Sequence, residues 1–199
     1  QSAGQRCSAL RVLFIQDDVA DEMIGMIAGA MEALAVGDPR ELTIDVGPVI
    51  DAAARQALRR HLDWLDLHAT RIMRSDVPDE LDAHGFFVPP AMYEIGNLGQ
   101  LTEENFGPIL HVVRWKSGEL DTVIGQINAS GYGLTLGLQS RIDTVRDHVQ
   151  THARVGNLYV NRNQIGAVVE SQPFGGEGLS GTGPKAGGPH YVPRFATER

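Results

Sequence analysis

Two hydrophobic periods alternate along this chain. Arg11–Ile15 (RVLFI) is a short β-branched and apolar run, the signature of a buried strand. Asp17 and Asp18 then offer an N-cap, and Met23, Ile24, Ile27, Met31 and Leu34 recur at helical spacing until Gly37-Asp38-Pro39 stops the helix. A second helix is predicted to start after Asp51, with Leu58, Leu62 and Leu65 on its inner face. The polar stretch Ser75–Gly85 reads as a loop or irregular connection. Ile109–Trp115 is the next strong strand, followed by a helix over Leu120–Ile127, a strand over Leu134–Leu138, a helix over Asp143–His152 and a strand over Leu158–Val160. Strands alternating with helices imply crossover units and a mainly parallel sheet, so the fold class is α/β. From Gly166 the character changes: seven of the fourteen residues Gly175–Gly188 are glycine. That density predicts a structured loop with unusual backbone angles, not a helix. No internal repeat is visible.

Composition narrows the function. The 199 residues suit one sizeable domain, and 42% hydrophobic with 21% charged residues is ordinary for a globular fold and argues against disorder. Lys+Arg number 17 against 25 Asp+Glu, a net charge of −8 that leaves no basic face for a nucleic-acid partner. No apolar run reaches the length of a bilayer span, no signal peptide is seen, and a single cysteine forms no internal disulfide. A cytoplasmic enzyme, or part of one, is the expectation. The chain starts at Gln1 and enters a motif at once, which predicts a piece cut from something longer.

Two tempting motifs fail on context. Gly176-Glu177-Gly178-Leu179-Ser180-Gly181 fits GxGxxG, but Thr182-Gly183-Pro184 forbids the helix that a dinucleotide loop needs. Pro184-Lys185 likewise fails as a P-loop. His148 and His152 sit four apart on a helix, yet Val149 stands where a metalloprotease needs glutamate and no third ligand is evident, so no metal site is expected. Cys7 has a more suggestive setting. Gly4 permits tight backbone geometry before it, Ser8 and Ala9 leave room for a substrate, and a buried strand follows. A thiolate is the best side-chain nucleophile for a carbonyl carbon near neutral pH. On residues alone Cys7 is a candidate nucleophile, with a small core hydrophobe as the alternative.

Gly4-Gln5-Arg6-Cys7 resembles the catalytic-cysteine motif of the aldehyde dehydrogenases, and Glu103-Glu104-Asn105-Phe106-Gly107-Pro108 resembles their EExFGP motif. Asn128 with Tyr132-Gly133-Leu134, Gly156–Asn161, and Pro173–Gly176 with Ser180-Gly181 follow in the family's order. Five motifs in order span nearly the whole chain. GQRCSALRVL, NASGYGLTLG, YVNRNQIGAVV and GLSGTGPKAGGPHY are closer still to the L-glutamate γ-semialdehyde (1-pyrroline-5-carboxylate) dehydrogenase part of the bifunctional proline utilisation A family. The resemblance implies that residues 1–199 are an aldehyde dehydrogenase catalytic domain, with most of the NAD-binding Rossmann domain upstream. It makes Cys7 the nucleophile, attacking the aldehyde to give a thiohemiacetal and, after hydride transfer to NAD, a thioester. Glu104 matches the glutamate that hydrogen-bonds the nicotinamide ribose, and Phe106 the aromatic near the nicotinamide. Ser8, Gly166 and Ala167 match the positions that grip the substrate carboxylate, and Phe174 the residue lining its aliphatic part. NAD is the implied cofactor, and FAD would belong only to an upstream proline dehydrogenase domain. Implied partners are the small-molecule aldehyde, the remainder of the same polypeptide and a homo-oligomer. Peripheral membrane association of the longer protein stays open.

Some positions depart from the pattern. The family's general base and its oxyanion asparagine lie upstream of the cysteine and have no counterpart here. Glu170 stands where a small residue is expected, adding negative charge near a site meant for an anion, and Asn105 is unusual within its motif. Three other readings follow from the residues. One is another aldehyde specificity. Another is a cofactor-free acyl-transferring cysteine enzyme, which needs a histidine partner for Cys7. The third is an inactive folding or assembly module, which the isolated piece itself is expected to resemble.

Overall fold

The computed structural model describes residues 2–168, 171–181 and 183–197. The chain divides into two compact units, Gln1–Glu119 and Leu120–Arg199.

In the first unit, β1 (Val12–Gln16) leads directly into α1 (Asp17–Glu32). After an irregular stretch come α2 (Ala52–His68), β2 (Thr70–Arg74), α3 (Asp79–His84), β3 (Ala91–Glu94) and β4 (Ile109–Trp115). The strands form one sheet in the order β1-β4-β3-β2. β1 and β3 both run parallel to β4, and β2 closes the other end antiparallel to β3 with an irregularity between Arg71 and Met73. Strand alternation divides the core into two layers. Val12, Phe14, Tyr93, Ile109 and Val113 pack with Leu58, Leu62 and Leu65 of α2. Leu13, Ile15, Met92, Leu110 and Val112 pack with Ala20 and Ile24 of α1. The sheet therefore lies between two helices, an α/β arrangement with a mainly parallel sheet.

α2 begins as its sequence predicts. The Asp51 carboxylate accepts from the Ala54 N–H at 2.7 Å, satisfying one of the free donors of the first turn. α1 starts differently. Gln16 occupies the N-cap position without a side-chain bond, and Asp17 and Asp18 lie inside the first turn, where their charges favour the helix dipole. The helix also ends at Glu32, before Leu34 and well before Gly37. Leu34 and Val36 pack against the α2-side core layer, and the chain leaves the helix on α1's side to reach it. The predicted connection over Ser75–Gly85 contains α3, whose first turn is acidic and which buries no residue, so it carries no apolar stripe to read.

The second unit contains α4 (Leu120–Ala129), β5 (Tyr132–Gly133), β6 (Thr135–Leu138), α5 (Asp143–His152), β7 (Asn157–Val160) and β8 (Glu177–Gly178). β6 and β7 pair parallel around α5, and β5 pairs antiparallel with β8. Several family-like residues have structural tasks here. Asn128 donates to the His152 carbonyl at 2.9 Å and accepts from the Arg154 N–H at 2.8 Å. Asn157 donates to the Pro173 carbonyl at 2.9 Å, and Ser180 Oγ accepts from the Gly133 N–H at 3.2 Å. Gly156 is obligatory: a Cβ there would lie 1.9 Å from the Gly175 carbonyl oxygen. Among the described residues, no α-helix follows the GxGxxG stretch. Among the described residues, no helix is long and apolar enough to cross a membrane.

Candidate active site

The turn carrying Cys7 is fixed by its neighbours. Ser2, Ala3 and Gly4 are left-handed, with φ of 51°, 47° and 70°. Ala3 is buried in the α2-side core, anchoring the segment. A Cβ on Gly4 would lie 2.1 Å from the Gly107 carbonyl oxygen, so only glycine lets this turn lie against Gly107-Pro108. Gln5 adds a polar tie, its Oε1 accepting from the Ile50 N–H at 2.8 Å. Cys7 itself is exposed, whereas the next residue, Ser8, is buried.

Two of the sequence motifs thus meet in the first unit, the cysteine turn and the Glu103–Pro108 segment. Arg11, read from the sequence only as a strand residue, joins them. Its Nη2 donates to the Arg6 carbonyl at 3.0 Å, its Nη1 donates to Glu104 Oε1, and its guanidinium lies 4.0 Å from the centroid of the Phe106 ring. The Arg11 backbone is held in turn by His111 on β4. The His111 N–H donates to the Arg11 carbonyl at 2.9 Å, and Nδ1 of the same residue lies 2.8 Å from that oxygen. His111 Nε2 lies 2.8 Å from His61 Nε2 on α2. Burial lowers the pKa of both imidazoles, that of His111 to about 4.

The remaining predicted residues lie in the second unit. Gly166 and Ala167 sit half-buried in the loop after β7. Gly166 has φ 74°, and its carbonyl accepts from the Tyr159 hydroxyl at 3.3 Å. Phe174 is half-buried and exchanges two backbone hydrogen bonds of 2.9 Å with Ala186. Glu170, the charge expected to disturb an anion site, lies outside the described residues. Asn105 is described: its side chain donates to the Glu103 carbonyl at 3.4 Å, a local tie within the motif.

The histidine chemistry bears on the cofactor-free alternative. His61 and His111 bond each other, His68 bonds the Trp64 carbonyl, His148 bonds Asp121, and His152 bonds the His148 carbonyl. None of these five is paired with Cys7, as a cysteine–histidine enzyme would require. Among the described residues, no three His, Cys, Asp or Glu side chains are placed to hold a metal. A cleft of about 270 Å³ between α2 and residues 100–105 is lined by Arg60, His61, Trp64, Glu103 and Asn105, and neither Cys7 nor Glu104 reaches it.

Comparison with known proteins gives this geometry a context. The bifunctional protein PutA of Klebsiella aerogenes is 53% identical over 202 residues, covering 100% of this chain and 15% of its own length. A crystal structure of Bradyrhizobium japonicum proline utilization A, a D779W mutant, superposes with a TM-score of 0.95 at 55% identity, over 100% of this chain and 20% of that one. A 1-pyrroline-5-carboxylate dehydrogenase from Thermus with bound NAD superposes with a TM-score of 0.88 at 30% identity, over 98% of this chain and 37% of that one. The chain therefore spans only about a sixth of the length of the PutA relatives it matches. The sequence profile described as "Aldehyde dehydrogenase family" covers residues 1–199, and with these likenesses over nearly all of this chain it establishes that the chain belongs to the aldehyde dehydrogenase family.

Proposed function

We propose that residues 1–199 are the cysteine-bearing catalytic domain of an NAD-dependent L-glutamate γ-semialdehyde dehydrogenase that oxidises the semialdehyde to glutamate in proline degradation. The observation that carries this reading is the joining of the Cys7 turn to Glu104 and Phe106 through Arg11 and the Gly4–Gly107 contact. The names of relatives in both size classes, PutA and 1-pyrroline-5-carboxylate dehydrogenase, support the substrate.

The exposed Cys7 thiol is the nucleophile. Once its proton has passed to the general base, the thiolate sulfur adds to the aldehyde carbon, and the C=O π pair moves onto oxygen to give an alkoxide. The Cys7 backbone N–H stabilises that charge as it develops, which is where preorganised donors contribute most. Loss of hydride leaves the acyl group on sulfur as a thioester, and water cleaves it to the carboxylate and the free thiol. Bound NAD supplies the hydride acceptor. The residues present suit it: Arg11 engages Glu104 through Oε1, leaving Oε2 to accept from ribose hydroxyls, and the Phe106 ring is 39% exposed beside it. The family resemblance assigns Ser8, Gly166 and Ala167 each to the substrate carboxylate, for which a hydroxyl and backbone N–H groups are suitable donors, and Phe174 to its methylenes.

The general base and the second oxyanion donor come, on this reading, from the rest of a longer cytoplasmic, homo-oligomeric polypeptide, in which any FAD belongs to an upstream proline dehydrogenase. The test is NADH formation from glutamate γ-semialdehyde by that polypeptide, intact and as Cys7→Ala. Turnover lost in the alanine variant is expected; turnover retained makes Cys7 a packing residue. Ala167→Leu is expected to abolish use of the carboxylated aldehyde while sparing a neutral one, and equal loss of both rejects the carboxylate assignment. The 199 residues alone are expected to bind NAD weakly or not at all, and steady NADH production by them would overturn the domain reading.

A further inference from the structure

We propose that Arg11 is a positioning residue that holds the Glu104 carboxylate, and with it the cofactor-facing motif, in register with the turn that bears Cys7; this rests on the reading of Glu104 as the ribose-contacting residue.

Three contacts of one guanidinium carry the inference. Nη1 donates to Glu104 Oε1, Nη2 donates to the Arg6 carbonyl at 3.0 Å, one residue before the cysteine, and the guanidinium plane covers Phe106 at 4.0 Å. The first and third fall on alternate residues of the EExFGP-like motif, and the second falls on the cysteine turn. The group is screened from solvent, with the Arg11 side chain 18% exposed and that of Glu104 33%. Its Nε is buried and makes no hydrogen bond. A side chain selected for stability alone has no reason to bury an unmet donor, since an apolar residue would fill the same space. A planar fork that reaches two acceptors and stacks on a ring does require arginine, and lysine cannot do all three at once.

The backbone gives the fork a fixed base. The Arg11 carbonyl receives two bonds from His111 on the central strand β4, so its side chain starts from the sheet and not from a free loop. An unanchored glutamate on the extended 101–106 segment would sample several rotamers, and each would have to be ordered again when cofactor binds. Arg11 removes that cost before binding. Taking one oxygen of the carboxylate aims the other away from the guanidinium, where ribose hydroxyls can donate to it.

The experiment is a double-mutant cycle in the polypeptide that carries this chain with its cofactor domain, read as the NAD dissociation constant and as the KM for NAD and for aldehyde separately. Glu104→Gln is expected to weaken NAD binding. Arg11→Met is expected to weaken it about tenfold in the wild-type background, with the KM for aldehyde unchanged, and to add little in the Glu104→Gln background. Arg11→Lys keeps the charge and is expected to recover part of the affinity, and it carries the same cycle if Arg11→Met does not fold. Equal fold-losses from the Arg11 substitution in both backgrounds overturn the positioning role while leaving Glu104 as a cofactor contact. Unchanged NAD affinity in Glu104→Gln overturns the cofactor reading itself, and the positioning role with it.

Discussion

Lowering the pH from 7 to 5 is expected to loosen the sheet beneath the cysteine turn, through one buried imidazole. His111 is 3% exposed on β4 and faces α2. Its Nδ1 must donate to the Arg11 carbonyl, so in the neutral ring Nε2 is an acceptor and His61 Nε2 is the donor across 2.8 Å. A proton added to His111 turns Nε2 into a donor, which His61 meets only by giving up its own Nε2 proton for the Nδ1–H tautomer, and it places a charge in a buried site. Burial lowers the His111 pKa from 6.5 to about 4 in the folded protein. The folded value lies below the unfolded one, so the stabilisation is whole above the unfolded pKa and is lost as the pH falls through the interval down to the folded value. Between pH 7 and pH 5 the loss from this residue amounts to about 2 kcal/mol. His61, lowered by the same burial, acts in the same direction. Asp38, held at about 2 by hydrogen bonds from Arg40, titrates below this window and does not contribute. Hydrogen exchange of the β1 and β4 peptides, corrected for intrinsic rates at each pH, reads the change where it arises. In His111→Phe the ring remains and the titration goes, so the pH dependence should flatten. Equal pH dependence in the two proteins would refute the reasoning.

Other perturbations test the scaffold. Gly4→Ala must displace the turn from the Gly107 carbonyl, now 2.1 Å from the new Cβ, at a cost of at least about 1 kcal/mol. The alkylation rate of Cys7 and the thermal midpoint are both expected to change, and an unaltered pair would mean that the contact does not hold the turn. Leu62→Ala removes a fully buried side chain from the α2-side core and is expected to lower stability by about 2–5 kcal/mol in denaturant unfolding. Asp51→Ala deletes the cap of α2 at about 1 kcal/mol, and Asp51→Asn is expected to restore most of it.

Long, bounded apolar signals were the legible part of this fold. β4 and α5 run from Ile109 to Trp115 and from Asp143 to His152, as their patterns predict, and α2 buries the three leucines that its spacing selects. β3 left no such trace. It is a four-residue strand behind Pro89-Pro90, and its first three side chains are all buried, so it shows no alternation. β2 is broken by the irregularity at Arg71–Met73, which puts Ile72 and Met73 against the same core layer. Cys7, Glu104 and Phe106 stand out as candidates in the sequence because consecutive residues form a motif around them. Arg11 does not, because its role depends on a partner 93 residues away in sequence. Residues 1–16 alone show an arginine at the head of a strand and nothing of what it will grip.

The strand order also sets a schedule for assembly. β3 meets β4 at Ala91↔Ile109, and β2 meets β3 through Arg74↔Ala91, both short closures. β1 meets β4 at Val12↔His111, a loop several times longer that costs about 1.5 kcal/mol more in chain entropy to close. Non-local pairing of this kind comes late in folding. On a ribosome the β1 segment emerges first, yet it must wait for β4 before it can dock. The Cys7 turn and Arg11 wait with it, so the thiol acquires its surroundings only when the sheet is finished. Substitutions along the β1–β4 seam are therefore expected to delay maturation of the thiol's environment while β2, β3 and β4 assemble at their normal rate.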